Sequence, residues 1–222
     1  MNALMAKSGF IALGILLGIS IIAQHACSKP SEKKAVYVLA DTSGIYSKQF
    51  DKVQSVMLHL LGALQAGESL AFARIDDESF NETDIIARMN FDLRPSIANA
   101  QKRAFLESVN QFGKHIIPGK YTDITGGILQ AIEYLNETQA KQRYILILSD
   151  LKEETKKDQV RNFPISFNGI HVVVINVAEL ENDNAESGEY QKRVEAWVDR
   201  IEQGGGNWKL INDMARLGEV VE

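Results

Sequence analysis

Cysteine occurs once in this chain of 222 residues, at Cys27, so no intramolecular disulfide can form. Histidine is sparse too, with four in all: beyond His25 in the leader, His59, His115 and His171 stand far apart with no ligand spacing, and no HExxH pair is present. Basic residues are outnumbered, 24 Lys and Arg against 29 Asp and Glu, and they are dispersed, which removes the electrostatic footprint of a nucleic-acid binder. No Gly-x-Ser-x-Gly elbow and no phosphate-cradling glycine loop occurs. Internal repeats and low-complexity tracts are missing too.

An apolar run of membrane-spanning length is also lacking. Residues 10–23 are apolar apart from glycines and Ser20, and Lys7 gives a weakly positive start. As a helix those fourteen residues reach about 21 Å, short of a hydrocarbon core of about 30 Å. A secretory signal over residues 1–26 therefore fits better than a span, with an uncleaved membrane anchor as the alternative. The Ala26-Cys27 junction resembles the lipobox of bacterial lipoproteins, which would make Cys27 the lipidated first residue of the mature chain. Gln24 and His25 depart from that pattern, which has an aliphatic and a small residue there. Residues 27–35 are polar and read as a tether. Either reading attaches the rest to a membrane through its N-terminus, facing away from the cytoplasm, in a bacterial cell envelope and on its periplasmic side.

What remains, residues 36–222, has the size of one domain. Residues 36–40 form an unbroken apolar run, the mark of a parallel strand buried on both faces, and it stops at Asp41. Residues 50–64 carry apolar positions at helical spacing. Strands follow at 70–75 and 85–89, the second an antiparallel edge by its proximity to the first. Pro95 precedes a helix over 97–112, and a further helix is expected over 122–136. Residues 144–148 and 172–177 read as strands, 190–201 as a helix stopped by Gly204, Gly205 and Gly206, and 208–211 as a last strand, with a closing turn at 214–217. Strands alternating with helices predict an α/β fold: a three-layer, Rossmann-like arrangement with a mostly parallel central sheet.

Three polar stations follow this framework: Asp41-Thr42-Ser43, Thr122-Asp123 and Ser149-Asp150. The first and third come directly after buried strands, where open α/β sheets bind their ligands. Carboxylates and hydroxyls without His or Cys suit a hard ion such as Mg²⁺ or Mn²⁺. Taken singly, each station is explained as a helix cap or turn former. The acidic stretches 76–84 and 179–189 are placed to rim the same edge and to attract cations.

The order of the stations resembles the von Willebrand factor A-type domains, whose metal-ion-dependent adhesion site uses an Asp-x-Ser-x-Ser loop, a later Thr and a later Asp. The matching segments are Asp-Thr-Ser-Gly-Ile at 41–45, Tyr-Thr-Asp-Ile at 121–124 and Leu-Ser-Asp at 148–150. The resemblance implies that Ser43 and Thr122 ligate the ion by their hydroxyls, that Asp41 and Asp150 hold its waters, and that an acidic residue of another protein completes the shell. Ile45 departs from it, since the family has a second serine there; this weakens the site, and Asp123 or a water would have to compensate. The function implied is a protein-binding module without enzymatic activity. Two alternatives stand beside it: a Mg²⁺-dependent phosphohydrolase of haloacid dehalogenase-like type with Asp41 as nucleophile or metal ligand, against which Ser43 replaces the second aspartate, and a metal-free structural envelope domain.

Overall fold

The computed structural model describes residues 32–43, 49–77, 79–159, 161–175 and 187–221. The leader, Cys27, Ile45 and most of the second acidic stretch lie outside them. In chain order the elements are β1 (Lys34–Asp41), α1 (Phe50–Ala63), β2 (Ser69–Ile75), a 3₁₀ turn (Glu82–Asp84), β3 (Ile85–Asn90), α2 (Pro95–Gly113), α3 (Ile124–Glu137), β4 (Gln142–Leu148), β5 (His171–Ile175), α4 (Ser187–Gln203), β6 (Asn207–Ile211) and a final 3₁₀ turn (Met214–Glu219). Among the described residues no helix is long and apolar enough to cross a membrane.

The strands form one sheet in the order β3-β2-β1-β4-β5-β6. All neighbours run parallel except β3, which pairs antiparallel with β2 at the edge, as its closeness in sequence predicts. The strand alternation divides the core in two. Val36, Val38 and Ala40 of β1 join Leu146 and Leu148 of β4 under α1 and α2, where Val56, Met57, Leu60, Phe105 and Val109 are buried. Tyr37 and Leu39 join Ile145 and Ile147 on the other face, under Ile128 and Leu135 of α3 and Trp197 and Ile201 of α4. Both faces are thus covered, which is why these strands read as continuous apolar runs rather than alternating ones.

Local chemistry sets the element ends. Pro95 begins α2, where a missing N–H costs nothing, so the helix starts two residues earlier than its periodicity indicates. Gly205, at φ +74°, ends α4: the amides of Gly205 and Gly206 return to the carbonyls of Glu202 and Ile201, both at 2.9 Å, in a Schellman arrangement. The helix expected from residue 122 begins instead at Ile124, because Asp123 is its N-cap and accepts from the Gly126 amide.

The chain leaves β1 through α1 toward β2 and β3, then returns by α2 and α3 to place β4 on the other side of β1. The strand order therefore reverses between β1 and β4. A crevice opens at such a switch, outside the carboxyl ends of the strands.

Candidate functional site

Asp41 is the last residue of β1, in register with Ile75 of β2, while Ala40 pairs with Leu148 of β4. That register brings Ser149 alongside Asp41. The Asp41 carboxylate is only 4% exposed, and protein donors engage both of its oxygens. Ser43 donates to Oδ1 from its amide at 2.8 Å and its hydroxyl at 2.6 Å, and Ser149 Oγ donates to Oδ2 at 2.9 Å. Burial pushes the Asp41 carboxyl above its ordinary pKa; the bonds from Ser43 and Ser149 pull it back, and the charge of Asp150 pushes it up again. Because Ala40 pairs with Leu148 and Ser149 bonds Asp41, Asp150 leaves β4 at the same rim. Thr42 turns its hydroxyl to the Ile75 carbonyl at 3.0 Å, tying the end of β1 to the end of β2.

Asp150 is more open, with its side chain 31% exposed. Its Oδ1 accepts from the Lys152 amide at 2.9 Å, and its Oδ2 lies 3.9 Å from Arg193 of α4. Thr122 arrives on the loop between α2 and α3 and is 5% exposed. Reciprocal backbone bonds to Glu154, at 2.7 and 3.0 Å, hold it against the segment after β4. On its other side Asp77 Oδ1 accepts from the amides of Lys120 at 2.8 Å and Tyr121 at 2.7 Å, and Asp123 donates its amide to the Asp76 carbonyl at 3.1 Å. The loop carrying Thr122 is therefore strapped between the ends of β2 and β4. All three stations meet at the carboxyl rim.

Asp123 is engaged inside the fold. It is fully buried, and Arg161 clamps it, Nε to Oδ1 at 3.0 Å and Nη2 to Oδ2 at 2.6 Å. A metal compensating for Ile45 through Asp123 would first have to displace that guanidinium. Acidic residues of the stretch 76–84 are likewise engaged internally: Arg74 pairs with Asp76 at 2.9 Å and with Asp84 at 3.0 Å. These two carboxylates tie a loop down rather than standing free to attract cations. Arg161 and Gln159 were invisible in the sequence, since nothing in a polar stretch marks the one arginine that turns inward.

Among the described residues no three His, Cys, Asp or Glu side chains cluster as a metal cage. At the switch stand instead the carboxylates of Asp41 and Asp150 and the hydroxyl of Ser43, with the loop that carries Thr122 strapped to the segment after β4. Ser43 spends its proton on Asp41, which leaves its oxygen lone pairs available. Oxygen donors of this kind fit a hard divalent ion that keeps several of its waters.

A doubly covered, mostly parallel sheet with oxygen-bearing residues at its switch point defines the class as a Rossmann-like α/β domain. Within that class the chain has the von Willebrand factor A-type fold. A von Willebrand factor type A protein from Catenulispora acidiphila superposes with a TM-score of 0.51 at 16% identity, over 85% of this chain and 41% of that one. The PilB minor pilin from Streptococcus sanguinis superposes with a TM-score of 0.51 at 12% identity, over 86% of this chain and 60% of that one. This chain thus spans less than two thirds of the length of both. No protein-family model matches the sequence, and no curated protein matches it.

Proposed function

We propose that this chain is a membrane-tethered, extracytoplasmic module of a bacterial cell envelope that binds another protein at the carboxyl rim of its sheet. The observation that carries the reading is the convergence of Asp41, Ser43, Ser149 and Asp150 at the β1–β4 switch, with the Thr122 loop strapped beside them. In this reading Ser43 and Thr122 hold a Mg²⁺ or Mn²⁺ ion, Asp41 and Asp150 hold its waters, and a carboxylate of the partner completes the shell. The ion would supply a positive charge on which that carboxylate can seat. Ile45 makes the affinity low. A minor pilin with the same fold agrees with a surface role, and the apolar leader ending at Cys27 supplies the tether, lipidated or retained as an anchor.

Calorimetric titration of the purified protein with Mg²⁺ and with Mn²⁺, beside an Asp41→Ala, Asp150→Ala double variant, tests the metal. Heat from the wild type that vanishes in the variant is expected; null traces from both would leave a protein-binding or structural domain without an ion. The phosphohydrolase alternative gains nothing from the geometry. The second aspartate that such an enzyme needs is replaced by Ser43, whose hydroxyl donates to Asp41 instead.

A further inference from the structure

A fully buried carboxylate persists only when it is paired and its lone pairs are filled. Asp123 meets both conditions through one segment. Arg161 supplies the fork described above, Gln159 Nε2 donates to Oδ2 at 3.2 Å, and the Gly126 amide donates to Oδ1 at 2.9 Å. Four donors on two oxygens exhaust the acceptor capacity of the group.

Arg161 and Gln159 both belong to the connection between β4 and β5, which contains no helix among its described residues. Its shape comes from what it grips. Glu154 exchanges backbone bonds with Thr122. Glu153 Oε1 accepts from the Thr125 amide at 2.6 Å. Arg200 of α4 donates to Thr125 Oγ1 at 2.8 Å and to the Arg161 carbonyl at 2.6 Å, and so backs the clamp from behind. Arg161 Nη2 also reaches the Ser79 carbonyl at 3.4 Å. The first turn of α3, and with it Thr122, is thereby held by side chains 28 to 75 residues away in sequence.

We propose that Arg161 is a positioning residue for the rim site. Acting through Asp123, it holds Thr122 between the segments that follow β2 and β4, and it removes Asp123 from the ligand set. The inference rests on Thr122 being a site residue, as read above. Arginine suits the task because its planar fork meets both carboxylate oxygens at once, which the single ammonium of lysine cannot do.

Amide hydrogen exchange on the full-length chain decides it, comparing wild type, Arg161→Gln, Arg161→Lys and Val109→Ala. The last loosens the core on the opposite face of the sheet and controls for general loss of stability. In Arg161→Gln the Thr122 and Glu154 amides are expected to exchange at least about tenfold faster while those of β1 and β4 keep their protection. Arg161→Lys should fall between, and Val109→Ala should leave the two amides in step with the strands. Unchanged protection of Thr122 and Glu154, or a loss that merely follows β1 and β4, overturns the proposal. If Arg161→Gln does not fold, Arg161→Lys against Val109→Ala decides by the same criterion. The exchange needs no ion, so a null Mn²⁺ titration of the wild type would remove the metal reading and leave this result intact. Where Mn²⁺ does bind, Arg161→Lys is expected to weaken it several-fold and Val109→Ala to leave it unchanged.

Discussion

Asp41 shows how single residues carry this site. Its burial is tolerated because Ser43 and Ser149 cover its two oxygens, so each hydroxyl is part of the cost of keeping an acid under the surface. Ser149→Ala removes the donor to Oδ2 and is expected to cost about 1–3 kcal/mol in urea unfolding; an unchanged midpoint would mean that water replaces the serine at no cost. At the far end of the chain the sign is opposite. Hydrogen bonds from Arg216 and then Lys209 hold the Glu219 carboxyl down at about 2. Because the folded value lies below the unfolded one, the stabilisation is present above the ordinary carboxylate range and is lost as pH falls through about 2. A carbon-detected titration should place Glu219 near that value, and Arg216→Ala should return it toward its ordinary range. The polar ends of β1 and β4, Asp41 to Ser43 and Ser149 to Asp150, were legible in the sequence because each follows a buried apolar run. The role of Asp123 was not: an acid that opens a helix looks the same whether it faces solvent, an ion or an arginine 38 residues away.

At the scale of elements, α3 is set by close approach as much as by its apolar face. A Cβ on Gly126 would stand 2.3 Å from Asp123 Oδ2 and 2.4 Å from the Ser79 carbonyl, so only glycine lets the first turn meet the loop after β2. Gly126→Ala must push the Asp123–Arg161 pair or Ser79 aside, at an expected cost of about 1–3 kcal/mol, read as a lowered thermal midpoint. The strands and helices were legible because period and burial agree along them. The β4–β5 connection was not, since its shape comes from side-chain bonds between distant segments and no periodicity records those. Apolar spacing starts α3 at residue 122, two residues before its first turn, for a related reason. Apolar spacing locates a helix face, whereas the cap that ends it depends on which carboxylate turns back onto the amides.

On the scale of the whole molecule, the single sheet couples two apolar layers that never touch. Leu39 lies in the layer under α3 and Leu146 in the layer under α1, on adjacent strands and opposite faces. Truncating either to alanine is expected to cost about 2–5 kcal/mol and to lower the midpoint of one shared unfolding transition. Two separated transitions in either variant would show that the layers melt independently. The described chain also begins and ends at the same place: β1 enters at Lys34, whose Nζ donates to the carbonyl of Val221. Asp41 lies at the opposite end of that strand, about 23 Å away at the rise of an extended chain. A label placed on Glu32 or Val221 therefore marks the end of the sheet away from Asp41, and a probe there reports on the fold without standing at the rim.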